Sequence, residues 1–493
     1  MMDPIDASNL KRRAVSATLW SGLGLFAQHG VQLFVTIALA RLLSPEDFGT
    51  VAVILVFAVV AQVFSDSGFG TALVQKRELG ADDASSVFYF NVATGAALAL
   101  LLAAAGPWIA DFYGGEILAP LAAFMALNLF VNTLGSVQTA LLTREMRFRL
   151  LMRAQVTATA ISGAVAIALA WQGFGVWSLA FQLLTSSCVT VFLLWRLSPW
   201  RPERRFRPES LRSLFRFGGF MFLSALLDRL YTKISPLLIG KLYSIRDLGF
   251  YHRADSTEQL PSSLLSGIVG RVALPAFSAA AGDEALLRKG VHKAITTLTL
   301  LSFPAMLGLL ASAHALIFTL FGEKWLPAVP FLQVLCLRGL LMPLQVINLN
   351  VLMALGHSNL FFRLEVWKKM LGLGVLLVAS QFSILAMASG LVAMAFVAFL
   401  MNAHYTGVFL GYSAWRQLRD VAGNLLAALA MLSVVWPLAL WDAVSPPAML
   451  GLQVAVGVVF YVSACWLFRL PSFLDVLAEA RVLLHRARSA GAA

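Results

Sequence analysis

The segment Arg41-Leu42-Leu43-Ser44-Pro45-Glu46-Asp47-Phe48-Gly49 is repeated 200 residues later as Lys241-Leu242-Tyr243-Ser244-Ile245-Arg246-Asp247-Leu248-Gly249. Each copy follows the first long apolar segment of its half of the chain. Further pairs occur in the same order: Gly70 with Gly270, Phe148-Arg149-Leu150 with Phe362-Arg363-Leu364, and Gly175 with Gly390. Matches in the same order, at the same points of the apolar pattern, indicate an internal repeat.

The composition of the chain places it in a membrane. Of its 493 residues, 59% are hydrophobic and 13% are charged, whereas a soluble domain carries about 25% charged residues. One membrane span needs roughly 20 apolar residues. Fourteen apolar segments fit this length, at residues 14–40, 49–72, 86–110, 117–142, 155–172, 175–195, 217–240, 250–275, 292–320, 327–355, 364–384, 388–412, 421–441 and 448–468. The sequence therefore predicts an all-α polytopic membrane protein of about fourteen transmembrane helices.

The connections between these segments differ in their content of lysine and arginine. One alternate set of connections holds 27 of these residues, and the other holds only five, which are Arg41, Lys241, Arg246, Arg253 and Lys324. Because cytoplasmic loops are enriched in lysine and arginine, both chain termini are expected in the cytoplasm. This separation also favours an even number of spans, since a miscounted helix would mix the two sets.

The repeat unit contains six helices, so its two copies share one orientation in the membrane. Parallel repeats of this kind form two lobes around a central cavity. We therefore expect a first six-helix lobe over residues 1–196, a basic cytoplasmic linker over residues 197–214, and a second six-helix lobe over residues 215–415. Two further helices follow at residues 416–470, and an amphipathic cytoplasmic tail follows at residues 471–493. We interpret the arginine-rich linker as a solvated, topology-setting loop that also contacts anionic lipid.

Charged and polar side chains inside predicted spans are the candidates for a substrate cavity, because a charge in lipid is costly and usually functional. They are Gln28, His29, Asp66, Asp228, Arg229, Lys233, Asp255, Glu258, Arg271 and Arg338. In the repeat, Asp228 and Arg229 superpose on Gln28 and His29, as two walls of one polar cavity would require. The alternative is an internal ion pair, for example Arg229 with Asp66, that fixes helix packing. Arg271 is equally compatible with a ligand contact or a snorkelling anchor.

Motifs of active-site chemistry are missing from the sequence. It contains no G-x-x-x-x-G-K-[ST] phosphate loop and no G-x-S-x-G, H-E-x-x-H or C-x-x-C pattern. These absences disfavour ATP hydrolysis, an enzyme and a metal site, so we expect no catalytic residue and no cofactor. The basic linker lacks the stacking aromatic residues and the soluble domain of a nucleic-acid-binding protein.

Several motifs in order resemble a known family of bacterial transporters. They are the opening Lys11-Arg12-Arg13 helix, the run at residues 40–49, Asp66-Ser67-Gly68-Phe69-Gly70, Gly175-Val176-Trp177-Ser178-Leu179, Leu248-Gly249-Phe250-Tyr251 with Arg253-Ala254, and Val272-Ala273-Leu274-Pro275-Ala276-Phe277. They are similar to the Wzx-type lipid-linked oligosaccharide flippases. This is the colanic-acid and exopolysaccharide branch of the multidrug/oligosaccharidyl-lipid/polysaccharide exporter superfamily.

The resemblance implies a flippase that works by alternating access in the bacterial inner membrane. Its cargo would be an undecaprenyl-diphosphate-linked oligosaccharide, moved to the periplasmic leaflet for exopolysaccharide or lipopolysaccharide biosynthesis. It implies coupling to a H⁺ or Na⁺ gradient and, as partners, membrane lipids, a polysaccharide polymerase and export machinery. Two alternatives stay open: a drug or cation antiporter of the same superfamily, and a membrane-embedded polysaccharide polymerase or ligase. The short periplasmic connections disfavour the latter.

Overall fold

The fold is built from helices throughout the described part of the chain. The computed structural model describes residues 28–66, 69–76, 81–439, 441, 444–478 and 481. In chain order the helices are α1 (28–42), α2 (Pro45–Asp66), α3 (Phe69–Gln75), α4 (Ala81–Tyr113), α5 (Leu118–Thr133), α6 (Ser136–Arg144), α7 (Phe148–Trp171), α8 (Val176–Leu197), α9 (Pro208–Leu242), α10 (Ile245–Ala280), α11 (Glu284–Ala311), α12 (Ala313–Phe321), α13 (Val329–Ala354), α14 (Ser358–Ala379), α15 (Ile384–Leu410), α16 (Ala414–Leu438), α17 (Pro446–Leu467) and α18 (471–478). A 3₁₀ helix, Glu323–Ala328, leads into α13.

Ten helical segments among the described residues are long and apolar enough to cross a membrane. They are α2, α4, the α5–α6 pair, α7, α8, α11, the 3₁₀ helix with α13, α15, α16 and α17. Of the other long helices, α9, α10 and α14 carry several charged residues, and the described part of α1 is short. Each of the fourteen predicted apolar segments overlaps a described helix. The expected all-α polytopic architecture is therefore confirmed. A hydropathy criterion alone leaves out the long helices that carry charged residues.

The chain divides into two compact units, Met1–Gly249 and Phe250–Ala493. In the first unit, α4 packs along α5, α7 packs along α8, and α2 contacts α4, α5, α8 and α9. In the second unit, α13 packs against α11 and α15, and α14 packs against α15. The last two long helices lie in the second unit, where α16 and α17 both contact α11. The predicted lobe boundaries at the linker stay a prediction.

The two copies of the repeated segment have the same local structure. Ser44 and Asp47 exchange hydrogen bonds at the start of α2: the Ser44 Oγ donates to Asp47 Oδ2 at 2.7 Å, and the Asp47 N–H donates to Ser44 Oγ at 3.2 Å. Ser244 and Asp247 do the same at the start of α10, at 2.6 and 3.0 Å. These reciprocal caps satisfy backbone groups that a helix start leaves unpaired. The repeat inferred from sequence thus reappears as two matching helix starts.

The two helix starts also meet each other within the first unit. A Cβ atom built on Gly49 would overlap the carbonyl oxygen of Ile245, and one built on Gly249 would overlap the carbonyl oxygen of Pro45. Pro45 and Ile245 are equivalent positions of the repeat, as are Gly49 and Gly249, so the contact is reciprocal. Glycine is required at both positions because the backbones approach too closely for any side chain.

The basic linker is anchored to the start of α4, although the side chains of Arg201, Arg204, Arg205 and Arg207 are exposed. The backbone N–H of Glu203 donates to Ser85 Oγ at 3.0 Å, and that of Arg207 donates to Ser86 Oγ at 2.9 Å. Arg207 Nε lies 2.8 Å from a carboxylate oxygen of Asp82. The linker therefore has a defined path, fixed by its backbone and by the ion pair between Arg207 and Asp82.

Buried amides join α16 to α13 in the second unit. The Asn348 and Gln417 side chains exchange hydrogen bonds: Asn348 Nδ2 donates to Gln417 Oε1 at 2.8 Å, and Gln417 Nε2 donates to Asn348 Oδ1 at 2.9 Å. Both residues are 0% exposed. Interhelical hydrogen bonds of this kind hold transmembrane helices together where burial from water supplies no driving force.

We predict that Asn348→Leu lowers the melting temperature of the purified protein. The substitution leaves the buried Gln417 amide without its partner, at a cost of about 1–3 kcal/mol. The double variant Asn348→Leu/Gln417→Leu should recover most of the loss, because neither polar group then remains. Thermal unfolding in detergent measures this, with Asn359→Leu at an exposed position as the control. An unchanged melting temperature for Asn348→Leu would show that the amide pair contributes nothing.

Candidate functional site

The second unit contains an ion cluster formed by three of the predicted residues. Arg338 on α13 donates from Nη2 to Asp255 Oδ1 at 2.9 Å and to Glu258 Oε2 at 2.7 Å, both on α10. The Glu258 side chain is 2% exposed, and those of Asp255 and Arg338 are 23% and 28% exposed. We name these three residues the Arg338 cluster.

Helical spacing on α10 places the two carboxylates together. Asp255 and Glu258 are three residues apart, so they share one face of the helix. The same face supplies donors one turn further on: Gln259 Nε2 donates to Asp255 Oδ2 at 2.6 Å, and Ser262 Oγ donates to Glu258 Oε1 at 2.7 Å. Each carboxylate therefore binds both the guanidinium and a neutral donor, which offsets part of the cost of burying it.

Gly339 makes room for the cluster on α13. A Cβ atom at this position would lie 2.6 Å from Glu258 Oε1 and 2.5 Å from Met306 Sδ. Glu258 reaches Arg338 because the neighbouring residue has no side chain. The sequence gives no sign of this role, since the contacting residues are 81 and 33 positions away.

The charge of the cluster indicates what it can bind. One guanidinium faces two carboxylates, so the cluster carries one net negative charge when both carboxylates are ionised. The described residues contain no group of three or more His, Cys, Asp or Glu side chains that could hold a metal ion.

Arg253 lies one turn before the cluster and is 4% exposed. Its guanidinium carbon lies 4.8 Å from the ring centroid of Phe321 and 5.0 Å from that of Trp325. Cation–π contacts of this kind stabilise a buried guanidinium. The sequence places Arg253 among the connections poor in lysine and arginine and gives no sign of its aromatic partners, which lie about 70 residues further on.

The first unit holds five other predicted residues whose side chains are described. Gln28 and His29 lie half-buried at the start of the described part of α1. Asp228 and Arg229 are exposed on α9, and Lys233, one turn after Arg229, is half-buried on the same face. The side chains of Asp66 and Arg271 lie outside the described residues, and with them the alternative ion pair between Arg229 and Asp66.

A second charged group lies within α14, and sequence reasoning missed it. Lys368 donates to Glu365 Oε1 and, at 3.2 Å, to Asn402 Oδ1 of α15. Lys369 Nζ lies 3.7 Å from Glu365 Oε2. In the sequence, both lysines belong to the set of connections rich in lysine and arginine and indicate only topology. Their spacing of three and four residues from Glu365 was the available signal of a helical ion-pair group.

A third polar group joins His292 of α11, Tyr412 in the connection between α15 and α16, and Asp420 of α16. Asp420 Oδ2 lies 3.0 Å from His292 Nδ1 and accepts a hydrogen bond from the Tyr412 hydroxyl at 2.8 Å. Burial and this hydrogen bond raise the pKa of Tyr412 above its ordinary value, so the phenol stays a neutral donor. The group ties α11 to the start of α16.

The fold and the charge inside its helices define a polytopic membrane protein of the transporter class. Residues 38–330 match the family described as "Polysaccharide biosynthesis protein". The chain belongs to this family.

Curated relatives agree with this assignment. The chain is 29% identical to the teichuronic acid biosynthesis protein TuaB of Bacillus subtilis, over 72% of this chain and 74% of that protein. It is 26% identical to the lipopolysaccharide biosynthesis protein WzxC of Escherichia coli, over 76% of each chain. It is 30% identical to the succinoglycan biosynthesis transport protein ExoT of Rhizobium meliloti, over 66% of each chain. The expected Wzx-type family is confirmed.

Solved structures share the fold at low sequence identity. The lipid II flippase MurJ, in an inward closed conformation, matches with a TM-score of 0.77 at 16% identity, over 93% of this chain and 100% of that one. A multidrug resistance transporter of the MATE family, in an inward-facing conformation, matches with a TM-score of 0.60 at 17% identity, over 79% and 99%.

We predict that Arg338→Met strongly destabilises the protein. It leaves two partly or fully buried carboxylates without their cation, and breaking a buried ion pair from one side costs about 3–5 kcal/mol. Adding Asp255→Asn and Glu258→Gln to Arg338→Met should restore much of the melting temperature, because no buried charge then remains. Thermal unfolding measures both effects, and Arg363→Met, at an exposed position on α14, is the control. Equal melting temperatures for Arg338→Met and the wild type would contradict an energetically coupled cluster.

Proposed function

We propose that this protein is a flippase for undecaprenyl-diphosphate-linked oligosaccharides. It moves them from the cytoplasmic to the periplasmic leaflet of the bacterial inner membrane, for exopolysaccharide or lipopolysaccharide biosynthesis. It is a multi-pass membrane protein, and the bias of 27 basic residues against five favours cytoplasmic termini. The activity is transport, so no bond of the cargo is made or broken.

The observation that carries this proposal is the range of polymers named among the relatives. They serve teichuronic acid, lipopolysaccharide and succinoglycan biosynthesis, and one is named a transport protein. These polymers differ in composition, so relatives acting in all three pathways share a step that does not depend on one glycosidic bond. Passage of a lipid-linked precursor through the membrane is such a step. A polymerase would have to be matched to one product.

Basic residues of the first unit are suited to the diphosphate of such a cargo. Arg229 and Lys233 are four residues apart and share one face of α9, and Arg229 is exposed. A guanidinium binds phosphate oxygens through paired hydrogen bonds, so Arg229 offers a group that a diphosphate can bind. The cavity we propose thus takes its anion-binding groups from α9, with Gln28 and His29 of α1 as polar neighbours.

The Arg338 cluster is suited to coupling transport to an ion gradient. Protonation of Asp255 or Glu258 removes one negative charge and weakens the hold of the two carboxylates on Arg338. The contact between α10 and α13 would then depend on whether a proton is bound, which is what a coupled transporter requires. We propose H⁺ as the coupling ion, with Na⁺ as the alternative. A polysaccharide polymerase and export machinery are the expected protein partners.

Deletion of the gene should trap lipid-linked repeat units in the cytoplasmic leaflet. The expected result is loss of surface polysaccharide, together with lipid-linked oligosaccharide that a membrane-impermeant glycan probe cannot reach in intact spheroplasts. Opening the spheroplasts should make the same material reachable. Normal surface polysaccharide with altered drug tolerance would instead favour the antiporter alternative. Lipid-linked repeat units that already lie in the periplasmic leaflet but have not been polymerised would favour the polymerase alternative.

Arg229→Ala should reduce export without reducing the amount of protein in the membrane. Loss of a charged hydrogen bond to phosphate is worth about 1.5–3 kcal/mol, which corresponds to a fall of roughly tenfold or more in export at limiting cargo. Complementation of the deletion strain measures this, with Arg153→Ala, an exposed arginine on α7, as the control. Full export by a well-expressed Arg229→Ala variant would reduce this residue to a packing role.

A further inference from the structure

The basic linker presents three arginine side chains from a backbone that is anchored to α4. Arg204, Arg205 and Arg207 are exposed, and Phe206 lies exposed between them. We name these four residues the linker surface. The connection that holds them belongs to the set rich in lysine and arginine. Under the proposed topology, the linker surface therefore lies on the cytoplasmic side of the membrane.

Arg201 differs from the other linker arginines because its guanidinium is used inside the linker. Its Nη1 donates to the backbone oxygens of Ser198 and Trp200, both at 2.7 Å, and its Nη2 donates to that of Trp195 at 2.6 Å. Trp200 in turn packs edge-on against Phe88 of α4, with the ring centroids 6.0 Å apart. Arg201 therefore braces the linker and is not counted in the linker surface.

The guanidinium groups of the linker surface are held only weakly by the protein. Within the described part of the chain, Arg204 forms no hydrogen bond and no ion pair. Arg205 lies 3.8 Å from a carboxylate oxygen of Asp82 and 3.8 Å from one of Glu203, and its side chain is 65% exposed. Arg207 is equally exposed and has the shorter contact with Asp82 described above. Exposed ion pairs are weak, so an incoming anion can compete for these groups.

The charge of the linker surface fits a diphosphate better than a single phosphate. Residues 201–207 contain four arginines and one glutamate, so two positive charges remain after Asp82 is also counted. Guanidinium groups bind phosphate oxygens through paired hydrogen bonds. The phosphates of membrane phospholipids are separate from one another, whereas a diphosphate holds two charged phosphates side by side. Clustered cations attract such closely spaced charges most strongly.

Phe206 indicates that the linker surface faces the membrane. Its ring is 53% exposed, whereas the other nearby aromatic ring, that of Trp200, packs against the buried cluster around Phe88. Exposed aromatic rings beside basic residues are typical of segments at the boundary between lipid head groups and acyl chains. The diphosphate of a lipid-linked oligosaccharide lies at this depth, next to its lipid chain. The linker surface therefore meets the part of the cargo that does not depend on its sugars.

The linker continues directly into the helix that carries the proposed cavity residues. Arg207 precedes Pro208, the first residue of α9, and Arg229 lies 22 residues after Arg207. At 1.5 Å per helical residue, this separation is about 30 Å along the helix axis, close to the thickness of the hydrocarbon core. Cargo that approaches from the cytoplasmic leaflet therefore meets the linker surface first and Arg229 later.

We infer that the linker surface captures the diphosphate of the cargo at the cytoplasmic surface of the membrane, before the cargo reaches Arg229. This inference rests on the proposed flippase function for the identity of the cargo. Arg204, Arg205 and Arg207 bind phosphate oxygens, and no bond of the cargo changes. Capture raises the local concentration of cargo beside α9, so it matters most when cargo is scarce.

A photo-crosslinker at position 206 tests capture at this surface alone. Phe206→p-benzoylphenylalanine is introduced into the full-length protein, which is reconstituted in phosphatidylcholine nanodiscs with radiolabelled undecaprenyl diphosphate and irradiated. The crosslinker should label undecaprenyl diphosphate and label undecaprenol, which lacks the phosphates, much less. Adding Arg204→Ala/Arg205→Ala should lower the crosslinking of undecaprenyl diphosphate at limiting concentration by roughly tenfold or more, the loss expected for charged hydrogen bonds.

The matched control is Arg419→Ala on α16, an exposed arginine that also belongs to the set of connections rich in lysine and arginine. It should leave crosslinking at position 206 unchanged. Melting temperature and elution volume establish that each variant is folded, and Arg204→Ala alone replaces the double variant if the latter fails this test. Equal crosslinking in a folded arginine variant and in its parent would overturn the inference.

Anionic membrane lipids are the competing ligands for a basic surface. Phosphatidylglycerol and cardiolipin, each added in excess, should displace little undecaprenyl diphosphate, because neither carries two adjacent phosphates. Displacement of most of the crosslinked product by either lipid would overturn the inference and assign the linker surface to membrane lipids.

Export by the complemented deletion strain separates capture from the proposed function. When cargo is scarce, Arg204→Ala/Arg205→Ala should lower export, and a larger supply of lipid-linked repeat units should restore it. If position 206 crosslinks to undecaprenyl diphosphate but gene deletion leaves surface polysaccharide normal, capture stands and the proposed function is wrong. If deletion traps repeat units in the cytoplasmic leaflet but position 206 does not crosslink to undecaprenyl diphosphate, the proposed function stands and capture is wrong.

Discussion

The hydrocarbon interior of a membrane offers no water, so every polar group within it must find its partner inside the protein. This constraint accounts for the helical backbone. It also accounts for the Asn348–Gln417 amide pair and for Arg338 held between two carboxylates. These partners lie on different helices, so satisfying them also fixes which helices pack together.

Most of the fold could be predicted from the sequence, because span length and loop charge are properties of local segments. The repeat predicted which segments of the two halves are equivalent, and its two copies have matching caps. The Arg338 cluster could be predicted only as three separate charges, since 80 residues separate Glu258 from its partner and no local pattern joins them. The aromatic partners of Arg253 and the space beside Gly339 depend on packing between helices that are distant in sequence. The periodicity of apolar residues along the chain gives no information about such packing.

The described charged groups suggest a division of tasks between the two units. Exposed Arg229 and half-buried Lys233 on α9 are basic, whereas the Arg338 cluster carries a net negative charge. An anionic cargo and a coupling cation prefer opposite environments, and a transporter that handles both must keep the two sites apart. Under the proposed function, cargo binding and energy coupling could then be altered separately, by substitutions on different helices.

The reciprocal glycine contact has a consequence for the origin of the chain. A contact in which position 45 meets 249 while 245 meets 49 is self-complementary, as in a two-fold symmetric dimer. A repeat with an even number of helices inserts twice in the same orientation, so tandem gene duplication can join two copies without inverting either one. Because equivalent positions of the two copies meet, each glycine lies opposite the other copy's segment, and both must stay glycine for the contact to persist.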